Sequence, residues 1–91
     1  MHFHAPFDDT QFHAAIARHQ KMRKHLAELR GNYPARSTEE NVLLREYRNK
    51  IQEFGRELLK PLDRIDHGKL NDLTEESMKT FLAYVAIWRR R

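Results

Sequence analysis

Apolar side chains recur along three segments of this chain at alternating steps of three and four residues, the period of one face of an α-helix. That spacing restricts the fold to packed amphipathic helices. Phe12, Ile16, His19, Met22, Leu26 and Leu29 line one stripe. Leu44, Tyr47, Ile51, Phe54, Leu58, Leu62 and Ile65 line a second, and Met78, Phe81, Leu82, Val85 and Trp88 a third, which Tyr84 and Ile87 widen.

Local start and stop signals divide the stripes into three helices, expected at about 9–30, 38–67 and 74–90. Asp8 or Asp9 opens the first by accepting an orphan backbone N–H. Gly31 is the expected cap, and Asn32-Tyr33-Pro34 forbids continuation. Ser37-Thr38-Glu39-Glu40 reads as a capping box for the second helix. Because its stripe runs straight through Pro61, the second helix is expected to bend there, to soften at Gly55 and to stop at Gly68. Thr74 is the expected cap of the third, with Leu73 stapled onto Met78. Residues 1–8 are left as a flexible arm.

The expected fold is all-α: a single 1–91 domain in which three antiparallel helices form a hairpin or bundle around a long, Pro61-bent middle helix. At 1.5 Å per residue a middle helix of about 29 residues spans ~43 Å, against ~33 Å for a first helix of about 22. Such a mismatch leaves apolar surface that a second copy of the chain would cover, so the bundle is expected to be completed by dimerisation. A chain of 91 residues affords one modest core, and 40% hydrophobic with 33% charged residues is a globular composition.

Composition removes several function classes. With no cysteine there is no disulfide, thiolate metal site or cysteine nucleophile. The first nine residues lack the charged and apolar regions of a secretory signal, and no apolar run approaches ~18 residues, so the expected setting is the cytoplasm with no membrane partner. Six histidines invite a metal hypothesis, but His13, His19 and His25 stand six apart, each turned about 240° from the last. His25 and Glu28 share a face without a matching helix, and His2 and His4 sit in the arm, so no metal and no cofactor are expected. His19, inside a stripe, is expected to be a core-edge histidine with a hydrogen-bonded ring. Ser37 and Ser77 both read as helix-start residues, and Gly31, Gly55 and Gly68 belong to no phosphate loop.

What remains is binding. The leading expectation is a small helical adaptor or regulator, not an enzyme, that presents an apolar helix face to a protein partner, including a copy of itself as a dimer. Its anchors would be Tyr47, Phe54, Tyr84, Ile87 and Trp88, the aromatic and large apolar types usual at interfaces. The alternative is a polyanion- or nucleic-acid-binding accessory protein. The net charge is +4, Arg18, Lys21, Lys24 and His25 share one face of the first helix, and the chain closes on Arg89, Arg90 and Arg91 beside Trp88. A remote alternative is a small all-helical enzyme of the chorismate-mutase type, which needs cations on inward faces. Arg23 and Arg30 border the first stripe and Arg45 and Arg48 flank Tyr47, but the long helix comes second and no residue-level match exists.

Overall fold

The computed structural model describes residues 7–90. Among the described residues there are three α-helices and no strand: α1 (Asp9–Asn32), α2 (Thr38–Leu58) and α3 (His67–Arg89), with a single 3₁₀ turn over Leu62–Arg64 between the last two. No helix among them is long and apolar enough to cross a membrane. The expected all-helical class is thus the observed one. The calls on His2 and His4 and on Arg91 lie outside the described residues.

α1 begins as its sequence dictates. The Asp8 carboxylate accepts the Gln11 N–H at 2.8 Å and the Gln11 side chain accepts the Asp8 N–H at 3.1 Å, a reciprocal box that satisfies two donors. Phe7, expected in a flexible arm, is buried in the core instead. The helix runs one residue past Gly31, and the Tyr33 N–H closes it on the Leu29 carbonyl at 2.7 Å. For α2 the Ser37 hydroxyl accepts the Glu40 N–H at 3.2 Å, as expected. The return contact differs, because Ser37 donates its hydroxyl to the Glu40 carboxylate at 2.9 Å.

The long middle helix expected over 38–67 does not occur. α2 ends at Leu58, a turn follows, and α3 starts at His67, seven residues ahead of Thr74. Two local causes produce this. Pro61 disfavours helical backbone at Lys60, while Asp66, unnoticed as a cap, accepts the Lys69 N–H at 3.1 Å. Gly68 therefore sits in the first turn of α3 rather than ending α2. Thr74 and Ser77 are interior, returning their hydroxyls to the carbonyls of Leu70 and Thr74 at 2.9 and 2.8 Å.

The longer α3 turns a different face inward. Leu70, Leu73, Ser77 and Tyr84 are buried, so Leu73 and Met78 form no staple, and Met78 and Leu82 stay exposed at 46% and 58%. With helices of 24, 21 and 23 residues, the length mismatch that argued for a covering partner is absent.

α2 is the spine and packs on both neighbours, more extensively on α3, whereas α1 reaches α3 through Arg18, bonded to Asn71 and Thr74, and through His25 beside Phe81. The molecule measures 50 × 26 × 16 Å with a radius of gyration of 15.1 Å, against about 12 Å for a compact chain of this length. Three helices side by side in a shallow layer account for the unequal short axes. Met22, Leu26 and Leu29 of α1 meet Tyr47, Ile51 and Phe54 of α2, with Leu70, Leu73 and Tyr84 completing the core from α3.

Both ends of the α2–α3 pair are clasped. At one end the Glu57 carboxylate, 1% exposed, accepts the Asp66 N–H at 3.0 Å and pairs with Lys60 at 3.0 Å and Lys69 at 3.7 Å. At the other, Arg36 lies 3.7 Å over the Trp88 ring and donates to the Trp88 carbonyl at 2.8 Å, while the indole N–H donates to the Pro34 carbonyl at 3.0 Å. Tyr84 donates its hydroxyl to the Tyr33 carbonyl.

Candidate anion-binding seam

Charges are segregated around α2. At 100° per residue, Glu39, Glu46 and Glu53, seven residues apart, fall on one strip of the helix, and Arg45, Arg48, Gln52 and Arg56 fall on another about 120° away. The acidic strip lies on the side of Lys50, which donates to Glu76 of α3 at 2.9 Å. That hydrogen bond first, against partial burial, and then the fields of Glu76, Glu53 and Glu46 hold the Lys50 ammonium above its ordinary range. The arginine strip faces the seam with α1.

The antiparallel course of α1 sets Arg30 beside Arg45 and Arg48, and Arg23 beside Gln52 and Arg56. Three depressions of about 450, 300 and 560 Å³ follow one another along this seam. The first two share Arg30 and Arg48, and the next two share Arg23, Ile51 and Gln52, so they form one continuous furrow. Leu26, Leu44 and Ile51 give it an aliphatic floor. Among the described residues no aspartate or glutamate lines it.

Arg23, Arg30, Arg45, Arg48 and Arg56 are all exposed, and among the described residues no carboxylate lies within salt-bridge distance of any of them. The five project over about 16 Å of α2 and about 10 Å of α1 at 1.5 Å per residue. Each guanidinium offers a planar fork of donors that fits the two oxygens of a phosphate or carboxylate. The furrow can therefore hold a linear anion along its length.

His19 closes one end of the furrow. Its ring is stacked on Phe54 with centroids 5.7 Å apart, and Nε2 donates to the Ile51 carbonyl at 3.1 Å, which makes it the hydrogen-bonded core-edge histidine that its stripe position implies. The close approach depends on Gly55, since a Cβ there would stand 3.0 Å from Nε2.

The residues singled out from the sequence are brought together only in part. Arg18 braces α1 against α3, donating to Asn71 at 3.1 Å and Thr74 at 3.3 Å, with its guanidinium 5.6 Å from the Phe54 ring centre. Together with Lys21 and His25, Arg18 lines an α1–α3 cleft, separate from the seam, of about 230 Å³ whose floor is Tyr47. Lys24 is exposed on α1, and Arg89 and Arg90 stand at the far end of α3. Of the expected interface anchors, Tyr47, Phe54 and Tyr84 are core residues without surface to offer. Burial raises the pKa of both tyrosines, and the charge of nearby Glu40 adds to the rise at Tyr84. Ile87 is half-buried, and Trp88 is occupied in the clasp with Arg36, Pro34 and Tyr33.

Arg23, Arg30, Arg45 and Arg48 were legible in the sequence only as neighbours of the stripes, and Arg56 was not singled out. The signal that marks them is the separation of acids from arginines around α2. No family model matches this chain, and no curated protein or solved structure is significantly similar to it.

Proposed function

We propose that this chain is a binding protein whose α1–α2 seam grips the phosphate backbone of a nucleic acid. The observation that supports this reading is the furrow carrying five exposed arginines, with no carboxylate in its lining. A folded acidic protein offers scattered carboxylates, whereas a nucleic-acid strand offers a charge at every residue of a continuous line, and duplex DNA one per ~1.7 Å of axis. Two rows of guanidinium groups along an aliphatic trough match the second pattern.

Contact by this route is independent of base sequence. Of the side chains along the furrow the aromatic one is His19, whose ring is already stacked on Phe54, so no platform for base stacking is presented there. Phosphate contacts fix position without reading sequence. The seam replaces the first-helix face and the terminal arginines as the expected nucleic-acid site.

The test is a fluorescence anisotropy titration of a labelled duplex at ~50 mM salt, with the R30E/R48E double variant and with polyglutamate as competitor. Both positions are exposed, so the variant keeps the fold. The expected result is saturable binding by the wild type, a loss of at least ~100-fold in the variant, and weak competition by polyglutamate. Equal affinity of the two proteins for the duplex would remove the seam from the reading, and displacement by polyglutamate at equimolar charge would redirect it to an acidic protein.

A further inference from the structure

Outside the seam, the exposed surface of α3 carries a pattern that one kind of partner fits, with Met78 at its edge also lining the α1–α3 cleft. Leu82 is its centre, 58% exposed. Four residues to either side stand Met78, also exposed, and Ala86; seven residues to either side stand Glu75 and Arg89. Four residues turn the helix about 40° and seven about 20° from the starting direction, so all five share one face. Among the described residues neither Glu75 nor Arg89 lies within salt-bridge distance of an opposite charge.

This arrangement is self-complementary in one orientation only. When two copies of α3 cross antiparallel with a twofold axis at Leu82, Glu75 of each copy meets Arg89 of the other, and the long Met78 side chain enters the space over the small Ala86. A parallel pairing would oppose Glu75 to Glu75 and Arg89 to Arg89, which is repulsive. We infer that α3 is a homodimerisation surface, and that a second copy of this chain is its occupant. The isologous contact needs no other protein, since the same patch supplies both halves. The contact joins one helix per subunit over about 21 Å, so the dimer is weak and concentration-dependent.

Sedimentation equilibrium of the full chain without nucleic acid tests this directly. The wild type is expected to shift from 11.0 kDa toward twice that mass between about 1 and 500 μM. E75R and R89E alone should each weaken association at least ~10-fold by setting like charges together, and E75R/R89E should restore it, because the reversed pairs form again. The three substituted positions, Glu75, Leu82 and Arg89, are on the surface, and circular dichroism checks that each variant stays folded. L82K should abolish association. A wild type that stays at 11.0 kDa throughout, or a double variant no better than its parents while Leu82 still matters, would overturn the antiparallel register. Because no polyanion is present, failure here leaves the seam untouched, and failure of the duplex titration leaves this surface untouched.

Discussion

The two sides of α2 use charge in opposite ways. Toward α3, Lys50 is bonded to Glu76, Glu57 is enclosed by Lys60, Lys69 and the Asp66 N–H, and Arg36 spans to Glu40 and Trp88. Toward α1, Arg45, Arg48 and Arg56 face Arg23 and Arg30 across a furrow with no carboxylate among its described lining residues. Paired and buried charges position helices, because each is held in one geometry by several partners. Unpaired and exposed ones do little for the fold: two guanidinium groups ~8 Å apart in water repel by on the order of 0.5 kcal/mol, less in salt. A row of such groups contributes to stability only when an anion lies between them. On the reading proposed above, the α3 side serves structure and the α1 side binding.

Removal of Glu57 should produce the largest effect on the structural side. E57A takes away a carboxylate that is 1% exposed and leaves the Asp66 N–H and two ammonium groups without their acceptor, so urea denaturation should show a loss of about 3 kcal/mol at unchanged m-value. R36A comes next, at about 2 kcal/mol by the same measurement, since it loses the contact over Trp88, the bond to the Trp88 carbonyl and the ion pair with Glu40. Equal effects from any single seam arginine would break the distinction between the two sides.

Acid supplies a milder probe of the same clasp. Burial pushes the Glu57 pKa up, but the Asp66 N–H, Lys60 and Lys69 outweigh it and hold the carboxyl below its ordinary range. A group whose folded pKa is depressed stabilises the fold above its unfolded pKa and loses that contribution as pH falls through the folded one. Stability should therefore decline below about pH 4.5, and the decline should be shallower in E57Q. The smallest changes belong to K50Q and R48Q. The Lys50–Glu76 pair is partly exposed and Arg48 has no ionic partner among the described residues, so each should move stability by no more than ~0.5 kcal/mol. Only R48Q should affect nucleic-acid binding.

Much of the fold was legible in the sequence, and its failures cluster at one corner. The step of three and four gave the helices, and Asp8 and Ser37 gave two of three starts because a side-chain oxygen before an apolar run has a local task. Between Leu58 and His67 the local rules conflicted with the stripe. An unbroken periodicity through Pro61 argued for one helix, whereas Pro61 and the Asp66 cap separate α2 from α3, and the bonds of Glu57 to Asp66 and Lys69 hold the turn between them. Moving the start of α3 forward then rotated its inward face, which buried Tyr84 and freed Met78 and Leu82. The site was harder to read, since Arg23 and Arg30 become neighbours of Arg45, Arg48 and Arg56 only after the hairpin closes. The acid strip on α2, in contrast, needed nothing more than a helical projection.

The salt dependence of binding measures the unpaired charge itself. Each phosphate neutralised releases counterions, so a seam engaging five phosphates of duplex DNA should give a slope of log Kobs against log salt of about −4.5, or a fall of roughly 500-fold from 50 to 200 mM. With Arg23, Arg30, Arg45, Arg48 and Arg56 all changed to Gln, the slope should approach zero while the melting temperature stays within a few degrees of the wild type. A slope that survives in the five-fold variant would contradict the assignment of binding to the α1 side of α2.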